Sequence, residues 1–497
     1  MKALIMGLGL HGGGLASASF LLKRGAEITV TDLRDEITLK PSIEELDLIC
    51  GNLGCRPVRY VLGRHEIEDF KNADMVVKNP GVKPDSPFLL ASKRVETDLS
   101  LFLSESPSRL FAVTGTKGKS STSSALHWIL SHGRKAGKAF LGGNITVSPL
   151  TFLDQLTEDD DVVLELSSFQ LGDIKGRVKH DKSPLLKPAA AVLTAIMADH
   201  LDRYPSMNEY IDDKRNIYRG QNGSCVTVAG DDDWGKSFLS ETKGQPLIVS
   251  DKNDLQSALG SDKSGGWIGK DGAGFARITT RLKASLPQYG QYGFPAAGGA
   301  EEEITELVPK QLIVPGEHQR KNLLGAALAA FSLGLSAETI RNALSSYKGI
   351  EHRLEFFHEA GGLRFYNDSA ATIPEAAAAC VEALSAKAPL ILVTGGTDKN
   401  LDFSPLVKTI KLAKTVILLA GTGSEKLKRL LGEEGIPFSG PFDDIDKAVK
   451  HAAEKASSGD IIALSPGCAS FGMFLNEFDR GRKWKEAVLR ETSNYAN

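Results

Sequence analysis

A glycine turn, Gly115-Thr116-Lys117-Gly118-Lys119-Ser120-Ser121, stands between an apolar run, "LFAVTG", and a Ser/Thr-rich run, "SSTSSALHWILS", that reads as a helix. Backbone N–H groups around Gly118, with the Lys119 ammonium, suit phosphate oxygens, and the Ser120 hydroxyl suits Mg2+. A full phosphate loop carries glycine where Val113 stands. Taken alone, the short loop fits equally well a helix N-terminus capped by Ser and Thr, with Lys119 in solvent. Two later segments add weight to the first reading. "DDDVVLELSSFQL" reads as a buried strand ending in Glu165, where an acidic metal ligand belongs, and "PAAAVLTAIMADHLDRY" as another ending near Asp199-His200. Each has a plain alternative, a solvated strand end or a polar cap. Three polar chemistries at three strand ends of one sheet follow the rule for ligands in open α/β sheets, and together they point to an ATP–Mg2+ site.

Those groups need a sheet to line them up, and the chain supplies α/β units throughout. "KALIMGLGLHGGGLASASFLLKRGAEITVTD" is a βαβ unit whose first strand enters Gly7-x-Gly9-x-x-Gly12 and whose second ends at Asp32. Such glycines permit a tight turn and close approach of a diphosphate to a helix N-terminus, with Asp32 placed to accept from a ribose or a base. A second turn, Asn79-Pro80-Gly81, follows another apolar strand. The pattern restarts near residue 97 and again near Gly349, where "LRFYNDS", "APLILVTGG", "KTVILLAGT" and "GDIIALSPG" form a third series of strands with small or polar ends. The sequence therefore predicts an α/β protein of three domains: a Rossmann-like domain over 1–96, a central ATPase-type domain with a parallel sheet over 97–348, and a second Rossmann-like domain over 349–497. Residues 222–313 read as an irregular β insertion in the central domain, without assigned chemistry.

With 497 residues, a formal charge of -3 and 24% charged residues, the chain does not fit a general nucleic-acid or membrane-surface binder. Its 5 cysteines are widely scattered, which fits free thiols in a reducing compartment better than zinc or disulfides. The N-terminal apolar run is broken by glycine, and no stretch reaches the roughly 20 apolar residues of a membrane span. The expectation is a cytoplasmic protein without stable membrane association.

Taken together, "GLGLHGGG", "NPGV", "GTKGKSS", "GGNI", "ELSSFQL", "DHLDRY", "DDKRNIY", "GEHQRKN", "EHRLEFF", "NDSAAT", "GGTDKN" and "LSPGCASFGMFLNEFDRG" resemble the Mur ligase family, which builds the peptide of bacterial cell-wall precursors, over nearly the whole chain. "ELSSFQL" and "SPGCASF" are most similar to the branch that adds D-glutamate to UDP-N-acetylmuramoyl-L-alanine. In that family the shortened loop is the usual ATP cradle. The resemblance implies phosphorylation of the substrate carboxylate by ATP and attack of the amino acid on the acyl phosphate, in a monomer acting on the nucleotide sugar and glutamate. It implies that Lys119, His200 and Lys214 are catalytic, and that Ser120, Glu165, His200 and Lys214, the last as a carbamate, hold two Mg2+ ions. Gly115 to Ser121, Asn322, Arg353 and Asp368 would contact ATP. Gly9, His11, Asp32, Arg34, Asn79, Gly81, Asn144, Ser167 and Gln170 would contact the UDP-sugar. Thr372, Lys399, Ser470 and Phe471 would surround the glutamate.

Some positions depart from the pattern. Ala370 replaces a usual lysine, Glu477 a usual aromatic with Phe478 one place later, Thr146 a glycine and Gln319 an asparagine. The first two leave open a relative that adds L-glutamate. An NAD(P)-binding oxidoreductase or sensor, read from the first domain alone, would leave Lys119, Glu165 and His200 idle.

Overall fold

The computed structural model describes residues 1–9, 13–134, 136–145, 147–199, 203–260, 263–279, 282, 304–314, 316–398, 401–470 and 472–495. They form two compact units, one of residues 1–310 and 320–344, the other of 311–319 and 345–497.

The first unit holds two sheets. Five parallel strands lie in the order Arg59–Leu62, Glu27–Asp32, Lys2–Met6, Met75–Lys78, Val95–Glu96. Ala3 to Met6 and Met75 to Lys78 are buried without alternation, as expected of parallel strands covered on both faces. The helix Gly13–Lys23 packs so closely on this sheet that a Cβ on Gly14 would overlap the carbonyls of Gly7 and Leu8. The close packing falls at Gly14, two places beyond Gly12 of the predicted turn, which lies outside the described residues.

The second sheet has nine strands. Its parallel part runs Gln245–Ser250, Val226–Gly230, Ala190–Leu193, Arg109–Thr114, Asp161–Glu165, Ala139–Gly143. Gly265–Ile268 adds in parallel, and Gly274–Arg277 and Ile304–Val308 complete an antiparallel edge. The segment read as an irregular insertion thus contributes three strands to the parallel part of the sheet and two to its antiparallel edge. Its strands are short and interrupted by glycine and charge, which hid their membership. Val113, the residue that breaks the full phosphate-loop pattern, is a buried strand residue in register with Glu165 and Val192. The loop simply begins later, at Gly115.

The second unit has a six-stranded sheet, ordered Glu355–Ala360, Leu363–Asn367, Ile461–Leu464, Leu390–Thr394, Thr415–Leu419, Ser439–Phe442, parallel except for the first pair. None of the five cysteines forms a disulfide. Among the described residues no helix is long and apolar enough to cross a membrane.

Candidate active site

Four adjacent strands of the central sheet deliver the site from their C-terminal ends. Strand Arg109–Thr114 runs into the glycine loop, which turns into the fifteen-residue helix Lys119–Gly133. Gly118 has φ +89 and caps that helix without a side chain, and a Cβ there would overlap the Asn322 carboxamide. A Cβ on Gly115 would overlap the Thr194 hydroxyl. The backbone at both positions therefore lies where only glycine fits, at a helix N-terminus whose dipole favours anions. The loop is stitched to the next strand's continuation: Thr116 N–H donates to Ala195 O at 2.8 Å, and Thr116 Oγ1 lies 2.8 Å from the Tyr210 hydroxyl. Lys119 Nζ donates to the loop's own carbonyls, Gly115 at 3.0 Å and Thr116 at 2.9 Å.

Glu165 closes strand Asp161–Glu165 and is 2% exposed. Its Oε1 accepts from Asn144 Nδ2 at 2.9 Å, whereas Oε2 is buried with no hydrogen-bond partner among the described residues. An orphaned, buried carboxylate oxygen is costly, and it is the kind of atom a divalent cation satisfies. The residues present fit Mg2+ in this respect. Ser120, at the start of the helix, is also buried.

Lys214 lies on the helix Met207–Arg219, and its Nζ donates to the same Gly115 carbonyl at 2.8 Å. It is 1% exposed and sits 4.5 Å from the centre of the Tyr210 ring. Burial, with the Lys119 charge beside it, pulls its pKa down to about 7, against the opposing pull of Asp199 and Asp213. A lysine that titrates near neutrality offers a free amine lone pair at physiological pH.

Ser167 and Gln170 are buried or half-buried and cap the helix Ser168–Asp173 reciprocally: Gln170 N–H donates to Ser167 Oγ at 3.2 Å and Ser167 N–H to Gln170 Oε1 at 3.0 Å. In the first sheet, Gly7 and Gly9 have positive φ, and Asp32 accepts from Gly9 N–H at 3.2 Å and Arg34 N–H at 3.0 Å. The Asp32 carboxylate thus shapes the glycine turn itself. The exposed Arg34 reaches over Gly9, its Nη1 4.0 Å from where a Cβ would stand. Asn79 Oδ1 accepts from Gly81 N–H at 3.0 Å, closing the second turn.

In the second unit, His352 and Leu354 have φ of 66° and 45°, and the exposed Arg353 projects from the turn between them. Asp368 accepts from Leu354 N–H at 3.0 Å and Ser465 Oγ at 2.7 Å. Burial raises its pKa to about 6. Ala370 and Thr372 follow Ser369, and Ser470 follows Cys468; Arg480, which is 1% exposed, contacts Ser369 and Cys468. The Arg480 guanidinium donates to Ser369 Oγ at 3.0 Å, Ser369 O at 2.8 Å and Cys468 O at 3.2 Å, all neutral acceptors. Burial lowers its pKa to about 10. Phe478 meets the His352 ring at 5.7 Å, and the Glu477 carbonyl accepts from Ser369 Oγ at 2.7 Å.

His11, His200, Lys399 and Phe471, with Thr146, lie outside the described residues. Within the first unit the structure brings the Gly115–Ser121 loop together with Asn322 and Lys214, and pairs Asn144 with Glu165 at the end of the neighbouring strand. Sequence reading passed over Tyr210, Thr194 and Arg480. Tyr210 was findable, since it stands one helical turn before Lys214 and faces the same way. It also passed over His65, whose Nδ1 lies 2.7 Å from Thr31 Oγ1 beside Asp32. Burial lowers the pKa of that imidazole, against the pull of Asp32.

Known proteins share both the sequence and this architecture. Residues 1–99 match the family described as Mur ligase MurD-like, N-terminal domain; residues 113–265 match the Mur ligase middle domain, and residues 352–468 the Mur ligase, glutamate ligase domain. A Treponema pallidum protein named UDP-N-acetylmuramoylalanine--D-glutamate ligase is 38% identical over 97% of this chain and 96% of its own length. Proteins of the same name from Borreliella afzelii (38%, covering 98% of this chain and 97% of theirs) and a Roseiflexus species (37%, covering 98% of both) are similar to the same extent. Among solved structures, the UDP-N-acetylmuramate-alanine ligase MurC of Thermotoga maritima superposes with TM-score 0.57 at 19% identity over 99% of both chains. MurF of Thermotoga maritima, solved with ADP, gives TM-score 0.51 at 17% identity over 85% of this chain and 89% of its own. Three matched domains, full-length relatives and a shared fold lead to one conclusion: the chain belongs to the Mur ligase family.

Proposed function

We propose that this chain is an ATP-dependent amide ligase that joins D-glutamate to UDP-N-acetylmuramoyl-L-alanine, acting as a cytoplasmic monomer. The observation that carries the reading is the convergence of Lys119 and Lys214 on the Gly115 carbonyl, with the unpartnered Glu165 oxygen at the end of the strand paired with the one that enters the loop. That arrangement serves phosphoryl transfer, where neutralising charge matters more than a protein nucleophile. The 38% identity to relatives named D-glutamate ligases supports the choice of acceptor.

In this reading a substrate carboxylate oxygen attacks the γ-phosphorus of ATP, and ADP leaves. The amino group of glutamate then attacks the carbonyl carbon of the acyl phosphate. Phosphate departs, the nitrogen loses a proton and an amide remains. The loop from Gly115 to Ser121 cradles the phosphates. Lys119 exchanges the neutral carbonyls it holds for phosphate oxygens, a stronger charge-assisted bond. Asn322, already against the loop, faces adenine, and Arg353 and Asp368 face phosphate and ribose. Gly9, His11, Asp32, Arg34, Asn79 and Gly81 receive the UDP part, and Asn144, Ser167 and Gln170 the remainder of that substrate. Thr372, Lys399, Ser470 and Phe471 surround the glutamate.

Ser120, Glu165, His200 and a carbamylated Lys214 would hold two Mg2+ ions, which supply charge neutralisation at the transferring phosphoryl oxygens. A free ammonium at 214 would repel those ions; a carbamate would replace it with two oxygens sharing one negative charge, and a pKa of about 7 makes the required neutral amine available.

The test is product formation from ATP, Mg2+ and UDP-N-acetylmuramoyl-L-alanine with D- and L-glutamate offered separately and product mass recorded. Product with D-glutamate alone is expected. Product with L-glutamate alone overturns the acceptor, and no product with either overturns the nucleotide-sugar assignment.

A further inference from the structure

We propose that Arg203 is a positioning residue that energetically couples the nucleotide-sugar turn, Asn79 to Val82, to the phosphate loop; the inference rests on the function proposed above. The Arg203 guanidinium donates to the turn's carbonyls, Gly81 at 2.6 Å, Pro80 at 3.1 Å and Val82 at 3.4 Å. Lys78 adds a fourth bond, Nζ to Val82 O at 3.1 Å, and is itself held by Asp173 at 2.6 Å on the helix Ser168–Asp173. A turn whose carbonyls are gathered by two cations anchored elsewhere cannot shift without moving its anchors.

The other side of Arg203 leads toward the phosphate site. Its guanidinium lies 3.8 Å from the centre of the Phe169 ring, two residues beyond the cap at Ser167. Phe169 stacks on Tyr204 at 5.8 Å, and Tyr204 meets Tyr210 edge-on at 5.3 Å. The Tyr210 hydroxyl is 2.8 Å from Thr116 Oγ1 in the phosphate loop. A continuous run of contacts thus joins the two proposed substrate sites. Arg203 is the member that touches both the turn and the aromatic stack. Arginine suits this task because a planar cation can stack and donate at once, which lysine cannot reproduce. Carbonyl clamping alone would need no aromatic partner, and fold stabilisation alone would leave the two ligands thermodynamically independent.

The test measures coupling directly on the full-length protein. A non-hydrolysable ATP analogue is titrated with Mg2+, without and with saturating UDP-N-acetylmuramoyl-L-alanine, and the reverse titration must return the same factor. The wild type should show a factor of at least ~5, within the usual span for coupled sites. Arg203→Ala should bring it within about twofold of unity, and Arg203→Lys should retain part of it, because the carbonyl contacts survive better than the stack. If Arg203→Ala does not fold, Phe169→Leu carries the same test, since it removes the stack and leaves the clamp. A wild-type factor of one, or a factor that Arg203→Ala or Phe169→Leu leaves intact, overturns the proposal while product formation keeps the functional reading. Failure of the wild type to bind the nucleotide sugar or form product overturns both.

Discussion

Lys214→Ala removes a buried amine that shares the Gly115 carbonyl with Lys119 and titrates at about 7. At pH 7 about half of such a lysine is neutral, roughly a thousandfold more than for a side chain near its ordinary value of ~10.4. Only the neutral amine adds to CO2, forming the N–C bond and losing a proton to leave a carbamate. The burial that depresses the pKa therefore makes the modification feasible at physiological pH, and the exchange of a cation for an anion relieves the repulsion from Lys119. If the carbamate oxygens hold Mg2+, Lys214→Ala should lower turnover by at least ~100-fold, about 2.7 kcal/mol in the activation barrier. Added formate or acetate should recover about tenfold of that loss. Wild-type enzyme in 13C-bicarbonate should show a carbamate carbonyl resonance that the variant lacks, with similar thermal unfolding in both. Unchanged turnover in Lys214→Ala, or full wild-type activity in CO2-depleted buffer with no such resonance, would refute the reasoning.

Lys119→Ala should abolish ATP-dependent ligation while leaving circular dichroism and thermal unfolding close to wild type; normal turnover would rule out the cradle. Gly118→Ala forces a side chain into a backbone at φ +89 and against Asn322. It should cost about 1–3 kcal/mol in urea unfolding and weaken ATP-analogue binding at least ~10-fold by calorimetry. Gly176→Ala, with φ +70 and open space around it, should weaken binding by less than about twofold. Asp368 is buried with its pKa raised from 3.8 to about 6, so its contribution to stability is fully present below about pH 4 and is lost as pH rises through 6. Asp368→Asn carries no charge and can still accept from Leu354 N–H and pair with Ser465. It should therefore stabilise the second unit by up to about 3 kcal/mol at pH 7.5, with the gap closing by pH 4, and slow ATP-dependent turnover. A gap that widens on acidification contradicts this assignment.

The glycine loop between strand and helix was legible because glycine, lysine and serine between an apolar strand and a helix answer to one set of steric and electrostatic needs. Glu165 was legible for a similar reason, as an acidic residue closing an otherwise apolar strand. Other features depend on distant partners. Lys214 sits in "MNEYIDDKRNIYR", polar enough to pass for a solvated helix, and only the docking of Tyr210 and Ile211 turns its side chain inward. The strands Val226–Gly230 and Gln245–Ser250 are too short and mixed to declare themselves before they pair with Ala190–Leu193 and with each other. Arg203 reads as one more surface arginine until the Asn79 turn comes to meet it. Asp32 shows the converse: its place after the glycine turn was legible, whereas its use of one oxygen to hold Gly9 of that turn and the other to hold Arg34 was not.

Isotope transfer tests the central claim most directly. UDP-N-acetylmuramoyl-L-alanine labelled with 18O in both oxygens of its free carboxylate is converted with ATP, Mg2+ and D-glutamate, and the released phosphate is analysed by mass. An acyl phosphate obliges one carboxylate oxygen to leave with the phosphorus, so the account predicts one 18O in each phosphate and one retained in the amide carbonyl. Unlabelled phosphate released with product formation would mean that the carboxylate is never phosphorylated, and would contradict the roles given to the loop, Lys119 and Glu165.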